Sequence, residues 1–247
     1  MKSLLFLPSL LLNLQVGHII GSDTRVRVES TTDFPASIFG ELFVKGIRFC
    51  SGTLIGPRHV LTAAHCLSFR DAGIDDLEAS DFSFVPGQNG SQVPHGAFEG
   101  AEILIPQNAR SAGQTPDLAY GILILGTRIE SLLPIQVCHS PETGSDNLVR
   151  DRVIINGYPS DKPEGTQWRA TCSVTRRMGS RFEYPCSTTR GMSGAAVYER
   201  FVYAPDDIRH CVYGIHIGGT RNPQPTTNYG IAISKPISDW IEKVIAR

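Results

Sequence analysis

Three residues of this chain have the types and neighbours for nucleophilic attack on a carbonyl: His65 in Leu61-Thr62-Ala63-Ala64-His65-Cys66, Asp117 in Thr115-Pro116-Asp117-Leu118-Ala119, and Ser193 between Gly191 and Gly194. A serine hydroxyl becomes a good nucleophile when an imidazole takes its proton, and a carboxylate can hold that imidazole in the working tautomer. Small residues and an adjacent cysteine give His65 a rigid frame. The glycines let the backbone turn sharply at Ser193 and bring N–H groups close to a reacting carbonyl. Taken alone, an Asp after Pro is a turn residue and G-x-S-G is a frequent loop sequence; the order His, Asp, Ser gives them weight together. An α/β-hydrolase would run Ser, Asp, His and would place glycine where Ala195 stands.

These residues need a scaffold of strands. Short apolar or alternating segments recur between Gly, Pro, Asn and Asp clusters, at 49–55, 60–66, 118–125, 153–158, 167–174, 195–198, 211–217 and 229–234. That spacing predicts an all-β sandwich or barrel. A helix is expected over 236–246, where Pro236 precedes Ile237, Trp240, Ile241, Val244 and Ile245 at helical spacing. Weak periodicity between Gly126 and Arg150 places the boundary between two β halves near residue 130, giving halves of 18–130 and 131–247.

With 247 residues and 41% hydrophobic residues, the chain is long and apolar enough for a folded core. Its formal net charge of -1 supplies no bulk attraction for nucleic acid or an anionic membrane, and neither is expected as a partner. Met1-Lys2-Ser3 followed by the apolar run Leu4–Leu12 reads as a secretory signal over 1–17, too short to span a bilayer. Six cysteines (Cys50, Cys66, Cys138, Cys172, Cys186, Cys211) with no C-x-x-C pair favour disulfides over zinc, with 15 pairings open on sequence alone. No metal site and no cofactor is expected. Asn89-Gly90-Ser91 in a turn-rich stretch is a candidate glycosylation site for a secreted, extracellular protein.

The segments CSGTLIGPRHVLTAAHC, DLAYGILIL and RGMSGAAVYE resemble the trypsin-like serine proteases. HIIGSDTR, FVPGQNGSQVPHG, INGYPSDKPEGTQW, FEYPCSTTRGMSG and YGIHIGG are similar to one branch of them, the glutamyl endopeptidases. The resemblance covers the chain from Ile19 to the C-terminal helix. It implies two six-stranded antiparallel β-barrels of the chymotrypsin type, with the catalytic residues in the cleft between them. It makes Ser193 the nucleophile, His65 the general base and acid, Asp117 the residue that orients His65, and the backbone N–H groups of Gly191 and Ser193 the oxyanion hole. It pairs Cys50 with Cys66, and strand positions in the second barrel suggest Cys172 with Cys186 and Cys138 with Cys211.

The resemblance also bears on specificity. Relatives that cut after Lys or Arg carry an aspartate six residues before the nucleophile, where this chain has Ser187. Thr188 and His216 match the hydroxyl and imidazole with which glutamyl endopeptidases hold a substrate carboxylate. Arg190 stands where the bacterial enzymes have glycine at the pocket rim, and is a candidate for strengthening selection of acidic residues. Met192 replaces the aspartate that latches a chymotrypsin-like zymogen after cleavage, but glutamyl endopeptidases also lack it and use their mature N-terminal amine near the pocket. The expectation is a monomeric, secreted endopeptidase acting on polypeptides after Glu or Asp. Ala195 and Ala196, where relatives have a small residue followed by proline, leave a catalytically silent binding module as the alternative, and apolar specificity as another.

Overall fold

The structure, a computed structural model, describes residues 17–68, 77–106, 119–139, 152–219 and 225–247. The expected signal run and Asp117 lie outside the described residues. The first half is a closed barrel of six strands in the order β2 (Phe39–Val44), β3 (Ile47–Gly56), β4 (His59–Ala63), β7 (Tyr120–Leu125), β6 (Phe98–Leu104) and β5 (Phe82–Pro86). β2 and β3 turn through Lys45 and Gly46, both at positive φ (50° and 76°), as a tight hairpin between right-twisted strands requires. β7 reads Tyr-Gly-Ile-Leu-Ile-Leu and is buried along its whole length, so its apolar run needs no alternation.

The second half is a nine-stranded sheet containing β9 (Arg152–Gly157), β10 (Trp168–Ser173), β12 (Arg181–Tyr184), β13 (Ala196–Ala204), β14 (Asp207–Gly219) and β15 (Asn228–Ala232). Three short strands extend it beyond the six expected. β1 (Val26–Arg27) joins β10, so the N-terminal segment belongs with this sheet; β11 (Arg176–Met178) forms a hairpin with β12; β8 (Gln136–Val137) pairs with β14 in parallel. The expected strand segments correspond to β3, β4, β7, β9, β10, β13, β14 and β15. The chain ends in helix α1 (Lys235–Ile245), which has Pro236 in its first turn and buries Ile237, Ile241 and Val244. Trp240 meets Tyr120 of β7 edge to face at 5.4 Å, which ties the end of the chain to the first barrel.

The disulfides are Cys50–Cys66, Cys138–Cys211 and Cys172–Cys186. One apolar core runs through the first barrel, α1 and the inner residues of β13 to β15, and a second lies within the other sheet around Ile155, Tyr184, Met192 and Val197.

Glu41 on β2 is 2% exposed, and the Arg48 guanidinium, 3.7 Å away, is the one opposite charge paired with it among the described residues. Burial pushes its carboxyl up to about 7, against the pull of Arg48. The folded state therefore holds a proton that the unfolded chain releases near 4.5, so this group's stabilising contribution is complete below 4.5 and is lost as pH rises through 7. Glu41→Gln is expected to flatten that dependence and to raise stability at pH 8 by roughly 1–3 kcal/mol. Urea unfolding at pH 5 and pH 8 measures it, and an unchanged slope would show that Glu41 does not titrate in this range.

Candidate active site

β4 delivers its C-terminal residues Thr62 and Ala63 to the seam between the halves, and the chain then turns through a 3-10 segment, Ala64–Cys66. The Cys50–Cys66 disulfide fixes that turn to β3. The residue at its centre, His65, is half-buried, desolvation pushes its pKa down to about 4, and its Nε2 has no hydrogen-bond partner among the described residues. The His65 ring nitrogen and the Cys50 and Cys66 sulfurs lie within 4.8 Å of one another, but the sulfurs are bonded to each other and offer no thiolate to a metal.

Ser193 sits on the loop between β12 and β13. Its carbonyl accepts from the Ser51 N–H of β3 at 2.8 Å, and its Oγ donates to the Ile217 carbonyl of β14 at 3.2 Å. Gly194 donates to the His216 carbonyl and His216 donates back to Ala195, each at 2.8 Å. Gly194 needs to be glycine: its φ is 83°, and a Cβ there would lie 2.0 Å from Thr62 Oγ1 and 2.4 Å from the Ser51 carbonyl. The serine loop is therefore pressed onto β3 and onto β4, three residues before His65. The Gly191 carbonyl accepts from Ser51 Oγ at 2.8 Å, and neither the Gly191 nor the Ser193 N–H donates to a backbone carbonyl among the described residues.

Beside this loop lies a buried polar wall. Ser187, Thr188, His216 and Asn228 are each at most 1% exposed. The Tyr184 hydroxyl meets His216 Nδ1 at 2.6 Å. Burial, then the nearby His65, drives the His216 pKa down to about 3, so the ring is neutral. Two buried atoms of the wall, Thr188 Oγ1 and His216 Nε2, have no hydrogen-bond partner among the described residues, a costly state for polar groups unless a ligand meets them. Arg190, half-buried at the next turn, accepts from Ser160 N–H through its carbonyl at 2.8 Å.

The N-terminal segment runs along the same wall. His18 donates to Asn228 Oδ1 at 2.8 Å, its carbonyl accepts from Asn228 Nδ2 (2.7 Å) and Thr188 N–H (3.1 Å), and Ile20 N–H donates to Ser187 Oγ at 3.1 Å. Gly17 passes so close that a Cβ on it would be 2.1 Å from Thr188 Oγ1. The sequence reading did not include Tyr184, Asn228 or the segment's later anchor, Arg25. Asn228 is over two hundred residues from His18 in the chain, and nothing local marks it; the Asp23 and Arg25 pair within HIIGSDTR was a visible signal. Asn89 lies apart from the site, donating through Nδ2 to the Glu29 carbonyl at 2.9 Å and accepting at Oδ1 from Arg27.

Residues 26–241 match the family model described as Trypsin. Glutamyl endopeptidase of Bacillus licheniformis is 31% identical over 91% of this chain and 68% of that protein. A Bacillus subtilis protein called extracellular metalloprotease is 29% identical over 83% of this chain and 64% of its own length. The solved structure of a Glu endopeptidase in complex with MPD superposes with a TM-score of 0.78 at 25% identity, covering 93% of this chain and all of that one.

Proposed function

This chain belongs to the trypsin family of serine endopeptidases, on its glutamyl endopeptidase branch, and from that premise we propose that it is a secreted enzyme cutting polypeptides after glutamate by an acyl-enzyme route. In this reading Ser193 Oγ turns from the Ile217 carbonyl toward His65, which takes its proton as Oγ bonds to the scissile carbonyl carbon. The oxyanion forms against the N–H groups of Gly191 and Ser193. Collapse breaks the C–N bond and His65 returns the proton to the leaving amine; water then repeats the sequence on the ester. Asp117 orients His65 and stabilises the imidazolium, raising a pKa that burial alone holds near 4. The disulfides fit an oxidising destination and the run at 4–12 supplies a secretory signal.

The observation that carries the specificity is the pair of buried polar atoms, Thr188 Oγ1 and His216 Nε2, that have no hydrogen-bond partner within bonding geometry among the described residues beside the serine loop. A hydroxyl and a neutral imidazole N–H can both donate to a carboxylate, whereas Ser187 gives a basic side chain no counter-charge. Removal of residues 1–17 would clear the chain from Thr188 and leave the His18 ammonium at Asn228, adding a cation to the pocket.

The test is cleavage of matched peptides with Glu, Gln, Lys or Leu before the scissile bond by material whose N-terminus is verified as His18. Glu is expected to lead. Thr188→Val should lower kcat/KM for Glu by roughly 10- to 100-fold and leave the Leu peptide within a few-fold. Arg190→Gly should narrow the gap between Glu and Gln; an unchanged gap removes Arg190 from the pocket. A lead for Leu in the native enzyme would replace the acidic reading with an apolar one.

A further inference from the structure

The loop that carries Thr188, Arg190 and Gly191 has no buried carboxylate of its own to hold it, because Met192 is completely enclosed in the apolar core beside Tyr184 and Val197. A different charge lies next to it. The Arg25 side chain is 0% exposed, and all five of its N–H protons are used. Nε and Nη2 donate to the two oxygens of Asp23, each at 2.9 Å; Nη1 and Nη2 donate to the two oxygens of Asp161, at 3.0 and 2.5 Å; the remaining Nη1 proton goes to Thr189 Oγ1 at 2.9 Å. Thr189 Oγ1 in turn donates to Asp161 Oδ1. Lys162 Nζ stands 2.8 Å from Asp23, so two cations and two carboxylates balance.

This cluster joins three segments that are distant in the chain: the N-terminal stretch, the 158–162 turn and the serine loop. Bidentate guanidinium–carboxylate pairs are planar and directional, which fixes orientation as well as distance. The same turn also holds the loop's next residues, through the Ser160 N–H that donates to the Arg190 carbonyl and the close approach of Tyr158 to Gly191. Upstream, the stretch anchored by Arg25 supplies the His18 and Ile20 contacts to Thr188 and Ser187.

We propose that Arg25 is a positioning residue: clamped between Asp23 and Asp161, it holds Thr189, and through it residues 187–191, in the arrangement that forms the pocket wall and the oxyanion donors. The inference rests on the reading of those residues as pocket and oxyanion loop. It gives this chain an ordering device that needs neither an aspartate before the nucleophile nor a newly cut terminus, since Arg25 is seated well inside the segment.

Two variants test it, Arg25→Lys, which keeps the charge but loses the bidentate pairs, and Thr189→Val, which removes one hydroxyl and no charge. Hydrogen exchange of a fragment covering 187–192 is expected to speed up by roughly 10- to 100-fold in both, with the α1 fragment unchanged. kcat/KM per active-site-titrated molecule, on whichever peptide the native enzyme cuts best and well below each variant's Tm, should fall by a similar factor. A lowered Tm with unchanged exchange at 187–192, or faster exchange with unchanged kcat/KM, overturns the proposal. If the native enzyme does not prefer Glu, the specificity reading fails while both measurements still judge Arg25.

Discussion

Ser193→Ala is expected to lower turnover of a Glu-containing peptide by about a millionfold, leaving folding and peptide binding intact. Among the described residues the side chain makes one hydrogen bond, to the Ile217 carbonyl, while the loop's shape is held by backbone bonds from Ser193, Gly194 and Ala195 that alanine keeps. His65→Ala should cost about as much alone, and the double variant little more, because in the proposed mechanism nucleophile and base act as one unit. Single-turnover measurement on verified His18-terminated protein distinguishes the outcomes. Equal, background-level rates for native protein and Ser193→Ala would mean a catalytically silent binding module, the reading that Ala195 and Ala196 leave open.

The second large effect belongs to Gly191. Its φ is 91°, and a Cβ there would lie 2.3 Å from the Tyr158 carbonyl and 3.2 Å from the Ser160 nitrogen, so Gly191→Ala must move the loop or the turn behind it. Either movement would swing the Gly191 N–H away from the oxyanion position proposed above. Loss of one such donor lowers kcat by roughly 100- to 1000-fold, about 3–4 kcal/mol. KM should change only a few-fold, because the oxyanion exists in the transition state and not in the bound substrate. A kcat within a few-fold of native would remove Gly191 N–H from the oxyanion hole.

Much of the framework was legible because its signals are local. β7 carries an unbroken apolar run, the inner half of β14 is apolar but for His216, and α1 shows its stripe directly. β2 was not: Gly40 and Glu41 break its pattern, yet Gly40 is there because the Phe84 ring fills the space of a side chain, and Glu41 is buried against expectation. β5 ends on Pro86 and β6 alternates around Gly100, where Ala79 and Leu123 crowd the backbone. In the site, Thr188 and His216 were placed by resemblance, whereas Asn228, Tyr184 and the Arg25 cluster depend on contacts between segments up to 210 residues apart, which no local pattern encodes. Asp117 was named from sequence alone and lies outside the described residues.

Ser51 has a wider meaning than its place on β3 suggests. Its N–H holds the Ser193 carbonyl, its Oγ donates to the Gly191 carbonyl, and the same Oγ accepts from Tyr158 N–H at 2.9 Å. One side chain of the first barrel thus joins two separate loops of the second sheet at the reacting centre. Neither half owns the chemistry. A relative rotation of a few degrees that left every strand intact would already pull those bonds apart, so catalysis in this molecule serves as a gauge of how well its two halves are seated.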